Sequence, residues 1–335
     1  MERTTSAALQ SSDVEDRSLR PQYLADFVAQ QETKELLSIY IKAAKARNET
    51  IDHLLFYGPP GLGKTTLANI VANEMGVNIK ITSGPVIEKA AELAAILTSL
   101  KAGDILFIDE IHRLPKIVEE VLYSAMEDYQ IDIVIGTGDE TRSIRIDLEP
   151  FTLIGATTRY GDLTAPLRER FGIVRRLDFY KIPELNEIIQ RTSKLYNVEI
   201  AADAALLLAR CSRGTPRVAN RLFRRIRDFA EVLNKGVITL ELTRNALIKQ
   251  GVNISGLDEI DRHYLEALIL KFNGGPVGLN NIATSIGEEE ITISEAIEPY
   301  LIQEGYVERT KSGRLATKKA WDELNIKESL INKKK

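Results

Sequence analysis

The residues best equipped for chemistry sit in Gly58-Pro59-Pro60-Gly61-Leu62-Gly63-Lys64-Thr65. The run fits G-x-x-x-x-G-K-[ST] at every fixed position. Glycines there let backbone N–H groups turn inward and cradle phosphate oxygens at a helix N-terminus. Lys64 would set a point charge on the β- and γ-phosphates, and the Thr65 hydroxyl would ligate magnesium. A second signal is Asp104-Ile-Leu-Phe-Ile-Asp109-Glu110, an apolar run ending in two carboxylates. A phosphate site of this kind needs an acid on a neighbouring strand to hold magnesium through water, and Asp109 fits. Glu110 beside it can orient and polarise an attacking water. Two acids after a strand could equally cap a helix, and only the glycine loop tips that reading. A third signal, Leu153-Ile-Gly-Ala-Thr157-Thr158-Arg159, ends in hydroxyls that could sense a γ-phosphate. Arg168 or Arg170 could then reach a neighbouring subunit's nucleotide, or be plain surface charges. Arg217, in Gly214-Thr215-Pro216-Arg217, could reach back to the phosphates from a helix start.

These groups need elements to hold them. His53–Tyr57 predicts a short buried strand before the glycine loop, and Thr66–Met75 a helix after it, with Leu67, Ile70 and Val71 apolar. Val218–Asn234 predicts an arginine-rich helix, for which a salt-bridged face is the expected role of Arg224, Arg225 and Arg227. Val174–Tyr180 reads as a strand, and Pro183 opens helical periodicity at Leu185, Ile188 and Ile189. Ile131, Ile133 and Ile135 alternate with polar residues, as do Ile144, Ile146 and Leu148, around Gly136-Thr137-Gly138-Asp139. That pattern predicts a β-hairpin, which either packs on its own core or leaves an apolar face for a partner. Gly251–Gly256 reads as a hinge. Near the C-terminus, Gly313 marks a tight turn among Arg309, Lys311, Arg314, Lys318 and Lys319.

Composition bounds the rest. The chain has 335 residues, which at roughly 150 per domain implies two or three domains. It is 44% hydrophobic and 27% charged, an ordinary globular balance that excludes disorder as the main state. No apolar run approaches the roughly 18 residues that span a bilayer, and Met1–Arg20 lacks the apolar stretch of a signal peptide. The single cysteine, Cys211, excludes an internal disulfide and fits a cytoplasmic setting. Three scattered histidines make a zinc site a poor expectation. A net charge of −4 argues only weakly against nucleic acid, because the C-terminal cations are clustered.

The order of these motifs resembles that of AAA+ ATPases. More closely, the chain resembles the RuvB family of Holliday-junction branch-migration motors. The likeness is carried by DHLLFYGPPGLGKTTLANIVANEMGVN, LFIDEIHRL, VEEVLYSAMEDYQIDI, FTLIGATTRYGDLTAPLRERFGI, RGTPRVANRLFRRIRDFAEV, GGPVGL and EPYLIQEGYVERT, and runs from about Ser18 to Leu324. The resemblance implies an α/β P-loop ATPase domain with a parallel sheet, a helical lid and a winged helix. It places a flexible tail at 1–18, the ATPase domain at 19–181, the lid at 182–253 and the DNA-binding head at 254–335.

The same resemblance implies site residues. Lys64, Asp109, Glu110, Thr158 and Arg170 would be catalytic, with Thr157 hard to separate from Thr158 and Arg170 acting in trans. Thr65 and Asp109 would hold Mg2+. ATP would be bound by Gly61, Gly63, Lys64, Thr65, Thr66 and Arg217. Leu19, Arg20 and Tyr180 would flank its adenine and ribose, and Glu127, Asp128 and Tyr129 would lie near it. Arg309 and Arg314 would contact DNA. Ile131, Ile133, Ile135, Ile144 and Ile146 would form an apolar hairpin that docks RuvA. The implied activity is ATP-driven translocation of duplex DNA by a homo-oligomeric, hexameric ring, working with RuvA and the resolvase RuvC in recombination and repair. A clamp-loader or protein-remodelling ATPase and a small-molecule kinase are the other classes sharing this loop. The chain departs from the family pattern at Lys311-Ser312, where many relatives carry Pro-Arg, and at Ala29, where glycine is usual. The first departure predicts altered wing geometry; the second puts the local turn in question.

Overall fold

The computed structural model describes residues 19–135 and 142–325, apart from the side chains of 133–135, 142 and 143. The 1–18 tail, the 136–139 turn and the terminal lysines therefore lie outside the described residues. The chain divides into two units. One comprises the residues before Pro59 and Leu62–Asp178; the other comprises Pro59–Gly61 and the chain from Phe179 onward.

The first unit is built on five parallel strands. They are β1 (Leu54–Tyr57), β2 (Ile79–Ser83), β3 (Ile105–Asp109), β6 (Thr152–Thr157) and β7 (Ile173–Arg176), in the order β2-β3-β6-β1-β7. The central strands read as unbroken apolar runs because helices cover both faces; all six residues of β6 are buried. The edge strand β2 instead carries the half-exposed pattern of Ile79, Lys80 and Ile81. Helix α1 (Gln31–Arg47) precedes β1, and α2 (Lys64–Met75) follows the glycine loop, starting two residues earlier than periodicity predicts. Gly76 ends it in the left-handed region, φ 76°. α3 (Ala90–Thr98), α4 (Lys116–Glu127) and the short α5 (Ala165–Glu169) complete the cover. Leu106, Ile108, Leu122, Phe151 and Leu153 form the centre of one apolar core. Each contributes on the order of 2 kcal/mol by leaving water.

The predicted hairpin is present as β4 (Gln130–Ile135) paired antiparallel with β5 (Arg142–Asp147). Its faces are not uniform along their length. Ile131 is 1% exposed and Leu148 8%, both within the core, with Ile146 packed against it; Ile144 is 47% exposed. The base of the hairpin is therefore core, which corrects the expectation that Ile131 and Ile146 offer a docking face. The reason is that the β4 end adjoining α4 is folded onto the sheet's apolar layer. The side chains of Ile133 and Ile135 lie outside the described residues.

The second unit begins with four helices, α6 (Ile182–Leu195), α7 (Ala202–Arg210), α8 (Pro216–Leu233) and α9 (Leu240–Lys249). Amphipathic α8 buries Ala219, Leu222, Phe223, Ile226 and Ala230. Arg227 takes the salt-bridged surface role expected of it, meeting Asp228 at 3.2 Å and lying over the Tyr196 ring. Then come α10 (Glu259–Glu266), continued by a wider π turn at Ala267–Lys271, α11 (Leu279–Ile286), α12 (Glu290–Thr292), a second π segment at Ile293–Ile297, and α13 (Glu298–Gln303). The wing is β8 (Val307–Thr310) and β9 (Gly313–Ala316), and α14 (Lys318–Glu323) closes the described chain. Tyr264, Leu268, Ile282, Leu301 and Trp321 share this segment's own core. Among the described residues no helix is long and apolar enough to cross a membrane.

Ala29 adopts φ 69°, and Gln30 beside it φ 53°. The turn survives without glycine because the Gln30 amide donates to the Asp178 carbonyl at 2.6 Å and accepts from its N–H at 3.3 Å. An alanine in this region is strained. Ala29→Gly is expected to stabilise the protein by about 0.5–1 kcal/mol, read as a higher thermal midpoint. An unchanged or lower midpoint would mean that the strain is relieved elsewhere.

Candidate functional site

Strand order decides which residues can meet. β6 lies between β1 and β3, with Tyr57 opposite Thr157 and Ile108 opposite Gly155. Ser83 stands opposite Asp109 on the other side of β3. The C-terminal ends of four parallel strands thus deliver the glycine loop, Thr157–Thr158, Asp109–Glu110 and Gly84 to one edge. Open α/β sheets bind ligands at such an edge, where strand order reverses.

The glycine loop is held by close packing. A side chain on Gly58, at φ 136°, would run into the Leu177 carbonyl oxygen. Gly61 and Gly63 also take positive φ, 82° and 97°. Lys64 is buried, 7% exposed, and its Nζ donates to the Gly58 carbonyl at 2.8 Å. A lysine folded back onto the start of its own loop keeps its ammonium beside backbone of the kind that cradles phosphates. The Thr65 hydroxyl donates to Asp109 Oδ2 at 3.4 Å. These two hard oxygen donors suit Mg2+, which typically takes one or two protein oxygens and keeps water and phosphate in its remaining positions. That chemistry needs no larger ligand set, and among the described residues no group of three or more acids, histidines or cysteines is arranged to hold a metal ion.

The second carboxylate is placed differently. Glu110 has φ 47°, and its N–H donates to Asp109 Oδ1 at 2.9 Å. That left-handed residue turns the Glu110 side chain away from Asp109. Glu110 Oε2 accepts from the Thr158 hydroxyl at 3.2 Å and lies 3.3 Å from His112 Nδ1. Thr157 is fully buried, and its hydroxyl meets His112 Nδ1 at 2.9 Å and accepts from the Arg159 N–H at 2.9 Å. The two threonines thus differ in role. Thr158 touches the candidate base, and Thr157 braces the histidine beside it. Sequence reasoning missed His112, whose only signal was its place in LFIDEIHRL. It also missed Gly84, where a side chain would collide with the Glu110 carbonyl oxygen.

Arg170 belongs to another cluster. Its Nη2 is 3.1 Å from Glu127 Oε2, its Nη1 donates to the Pro166 carbonyl at 2.8 Å, and its guanidinium lies 4.6 Å over the Tyr123 ring. Tyr123 is fixed in turn, donating to Glu119 at 3.1 Å and meeting the Thr164 hydroxyl at 3.0 Å. Burial, foremost, raises the Tyr123 phenol. Arg170 Nε is buried without a hydrogen-bond partner. Glu127 therefore gathers with Arg170. Asp128 ends α4, and the Tyr129 ring packs near His53 and Phe151 at 6.5 and 5.9 Å. Burial, foremost, lowers the His53 imidazole, whose Nδ1 accepts from the Leu153 N–H at 2.8 Å. Leu19 is buried, 7% exposed, and Arg20 half-buried, both in the first unit.

In the second unit, Arg217 is exposed at the first turn of α8, and Gly61 comes so close that an added side chain would lie 3.2 Å from Arg217 Cβ. The Thr215 hydroxyl caps α8 through the Val218 N–H. Tyr180 is buried, its phenol pushed well above the usual tyrosine range by burial, and its N–H donates to the Gly214 carbonyl at 2.8 Å.

The wing separates two arginines that looked equivalent in sequence. Arg309 and Lys311 are exposed. Arg314 is 8% exposed, and its Nε and Nη2 donate to Glu298 Oε1 and Oε2 at 2.7 and 3.1 Å. Tyr264 also donates to Glu298 Oε1, at 2.9 Å. Glu298 is 2% exposed, so its charge must be matched locally. The expectation that Arg314 meets DNA phosphates is corrected accordingly: its guanidinium neutralises Glu298 and anchors β9. Lys311 and Ser312 form the two-residue turn between Thr310 and Gly313, and Thr310 braces it through the Ser312 hydroxyl at 3.0 Å and the Gly313 carbonyl at 2.8 Å.

Three family models match the chain in succession. They describe the P-loop domain of the Holliday junction DNA helicase RuvB over residues 19–177, the RuvB AAA lid domain over 180–253, and the RuvB C-terminal winged helix domain over 254–325. Among solved structures, Thermotoga maritima RuvB, described as a Holliday junction branch migration motor, is 50% identical, with a TM-score of 0.85 over 92% of this chain and 99% of that one. An A156S mutant of the same protein superposes at 0.86 and its P216G mutant at 0.85, with 50% and 51% identity and the same coverage.

The contact between Gly84 and Glu110 yields a prediction. Gly84→Ala should displace the Glu110 backbone while leaving Lys64 and Thr65 in place. Steady-state ATP turnover should fall about 100-fold, with nucleotide affinity nearly unchanged. Turnover within twofold of wild type would show that Glu110 does not need this placement.

Proposed function

Because the chain belongs to the RuvB family, we infer that it hydrolyses ATP to drive branch migration of Holliday junctions. It is a P-loop ATPase with the domain set of a DNA-junction motor. The observation that carries the reading is the single sheet edge where Lys64, Thr65–Asp109 and Thr158–Glu110 converge. A chain with the RuvB lid and winged helix is neither a small-molecule kinase nor a generic protein remodeller.

The proposed chemistry is in-line hydrolysis. Lys64 exchanges the Gly58 carbonyl for the β- and γ-phosphates. Thr65 and Asp109 would hold Mg2+, which would neutralise charge on the phosphate oxygens. Glu110 accepts a proton from water as the water oxygen bonds to the γ-phosphorus. The bond to the β-phosphate oxygen breaks, and ADP and phosphate leave. Thr158 holds Glu110 Oε2 until the γ-phosphate competes for its hydroxyl. Arg217, beside Gly61 of the loop, reads the phosphates, and Leu19 and Arg20 in the first unit and Tyr180 in the second are the family's base and sugar positions.

Arg170 serves a neighbouring subunit's site in a homo-oligomeric, hexameric ring, with Glu127, Asp128 and Tyr129 at the same boundary. Its partnerless buried Nε and its cluster with Glu127 support this assignment. Arg309 and Lys311 contact the DNA backbone, a salt-sensitive and sequence-neutral contact suited to a motor. The exposed end of the hairpin, where Ile144 lies, docks RuvA, and RuvC acts on the same junction. The protein works in the cytoplasm.

Two experiments test this. A synthetic four-way junction should be dissociated by the protein with ATP and RuvA, and Lys64→Ala should abolish the reaction without unfolding the chain. An intact junction under all conditions, with ATP still hydrolysed, would reject the motor. Separately, Arg170→Ala and Asp109→Asn should each be inactive, yet mixtures should recover part of the ATP turnover, because the lesions can fall at different boundaries. No recovery at any ratio would place Arg170 in its own subunit's chemistry.

A further inference from the structure

Arg213 closes α7 in a left-handed turn, φ 51°, and Gly214 follows at φ 66°. Its guanidinium does not point to solvent; the side chain is 14% exposed. Nη1 donates to Asp258 Oδ2 at 2.8 Å, and Nη2 donates to Asp261 Oδ1 at 3.0 Å and to the Ala296 carbonyl at 3.1 Å. The group also lies 4.8 Å over the Tyr300 ring. One lid residue thus holds the start of α10, the π segment before α13, and α13 itself.

The connection beneath it is closely packed. The expected hinge at 251–256 has Gly256 pressed so near the end of α7 that an added side chain would lie 3.1 Å from both the Arg210 carbonyl oxygen and Cys211 Cα. Asn253 Oδ1 accepts from the Ser255 and Leu257 N–H groups, and its amide donates to Glu323 at 2.9 Å. The Cys211 thiol reaches the Asn253 carbonyl at 3.6 Å. A joint with this many fixed groups transmits displacement rather than absorbing it.

Both ends of the clamp are informative. Arg213 is four residues from Arg217, across a turn fixed by the Thr215 N–H to the Ser212 carbonyl at 3.0 Å. On the other side, α13 carries Tyr300 under Arg213 and Glu298, which anchors Arg314 of the wing.

We propose that Arg213 is a positioning residue that couples the lid to the DNA-binding head, so that nucleotide-driven movement of the Arg217 turn reaches the wing. The proposal rests on the motor reading. Neither ATP nor DNA touches Arg213 in this scheme. Its loss should separate hydrolysis from movement instead of reducing both. Coupling of this kind is read as work done per ATP.

The experiment compares full-length wild type with Arg213→Gln, Arg213→Lys and Asp258→Asn. Each is assayed for ATP turnover, junction binding and four-way-junction dissociation. Arg213→Gln should retain turnover and binding but lose about tenfold in junctions dissociated per ATP. Arg213→Lys should fall between, since a point charge keeps one carboxylate but not the fork of contacts. Asp258→Asn keeps the helix cap and removes one limb, so its loss should be smaller and should not add to that of Arg213→Gln. Unchanged dissociation per ATP in Arg213→Gln would overturn the proposal. So would turnover, binding and dissociation falling in proportion in Arg213→Gln and Asp258→Asn alike, as simple destabilisation requires. If wild type itself does not move junctions, the motor reading fails, and hydrogen exchange then judges the clamp. ATP should alter protection at 258–262 in wild type but not in Arg213→Gln; equal responses would overturn it.

Discussion

The pairing of β6 with both β1 and β3 is the constraint on which the nucleotide site depends. Backbone hydrogen bonding between parallel strands leaves little freedom in register, so the ends of three strands are fixed relative to one another before any side chain acts. Lys64, Asp109 and Thr158 are distant in sequence and would have no defined spacing in a chain that lacked this order. The left-handed Glu110 then separates the two adjacent acids, one toward Thr65 and one toward Thr158. Close backbone approaches at Gly58 and Gly84 hold that arrangement from either side. Small displacements matter here because proton transfer and in-line attack both require contact geometry.

A different rule governs the second unit. Among its described residues, buried Asp261 and Glu298 are each matched by an arginine. Arg314 with Glu298 and Tyr264 secures the base of the wing, while Arg309 and Lys311 stay exposed. Arg213 with Asp258 and Asp261 secures the lid to the segment that carries the wing. Burial pushes the Asp261 carboxyl up to about 7, and Arg213 opposes it. Removing one partner of such a pair leaves a buried charge unmatched, which is why these contacts cost more to break than exposed bridges such as Arg145 with Asp132.

The hairpin shows how one sequence pattern can serve two purposes. Alternating isoleucines gave both strands an apolar face, and the structure divides that face along its length. Ile131 and Leu148 are core at the base, while Ile144 remains accessible. A partner that binds the exposed part is therefore attached to an element rooted in the ATPase core.

The chain by itself determined a great deal. Gly58–Thr65, the Asp109–Glu110 strand end and the Thr157–Thr158 strand end carry chemistry whose local spacing is written in adjacent residues, so motif and element could be read together. Period-two alternation gave the hairpin, and Pro183 with the apolar period at Leu185, Ile188 and Ile189 gave the helix α6. What sequence left open concerned residues whose partners lie far along the chain. Thr157 and Thr158 are neighbours with the same side chain, and only the packing of His112 and Glu110 tells them apart. Arg309 and Arg314 look alike in a basic run, and only the burial of Glu298 turns one into an anchor. Arg213 reads as one of seven arginines between Arg210 and Arg227; its role depends on Asp258, Asp261 and Ala296, which the fold alone brings to it. Local spacing encodes chemistry that a single loop or strand end can perform. Which charge is buried, and against what, is decided by tertiary contacts, because the cost of desolvation exists only once the chain has closed around it.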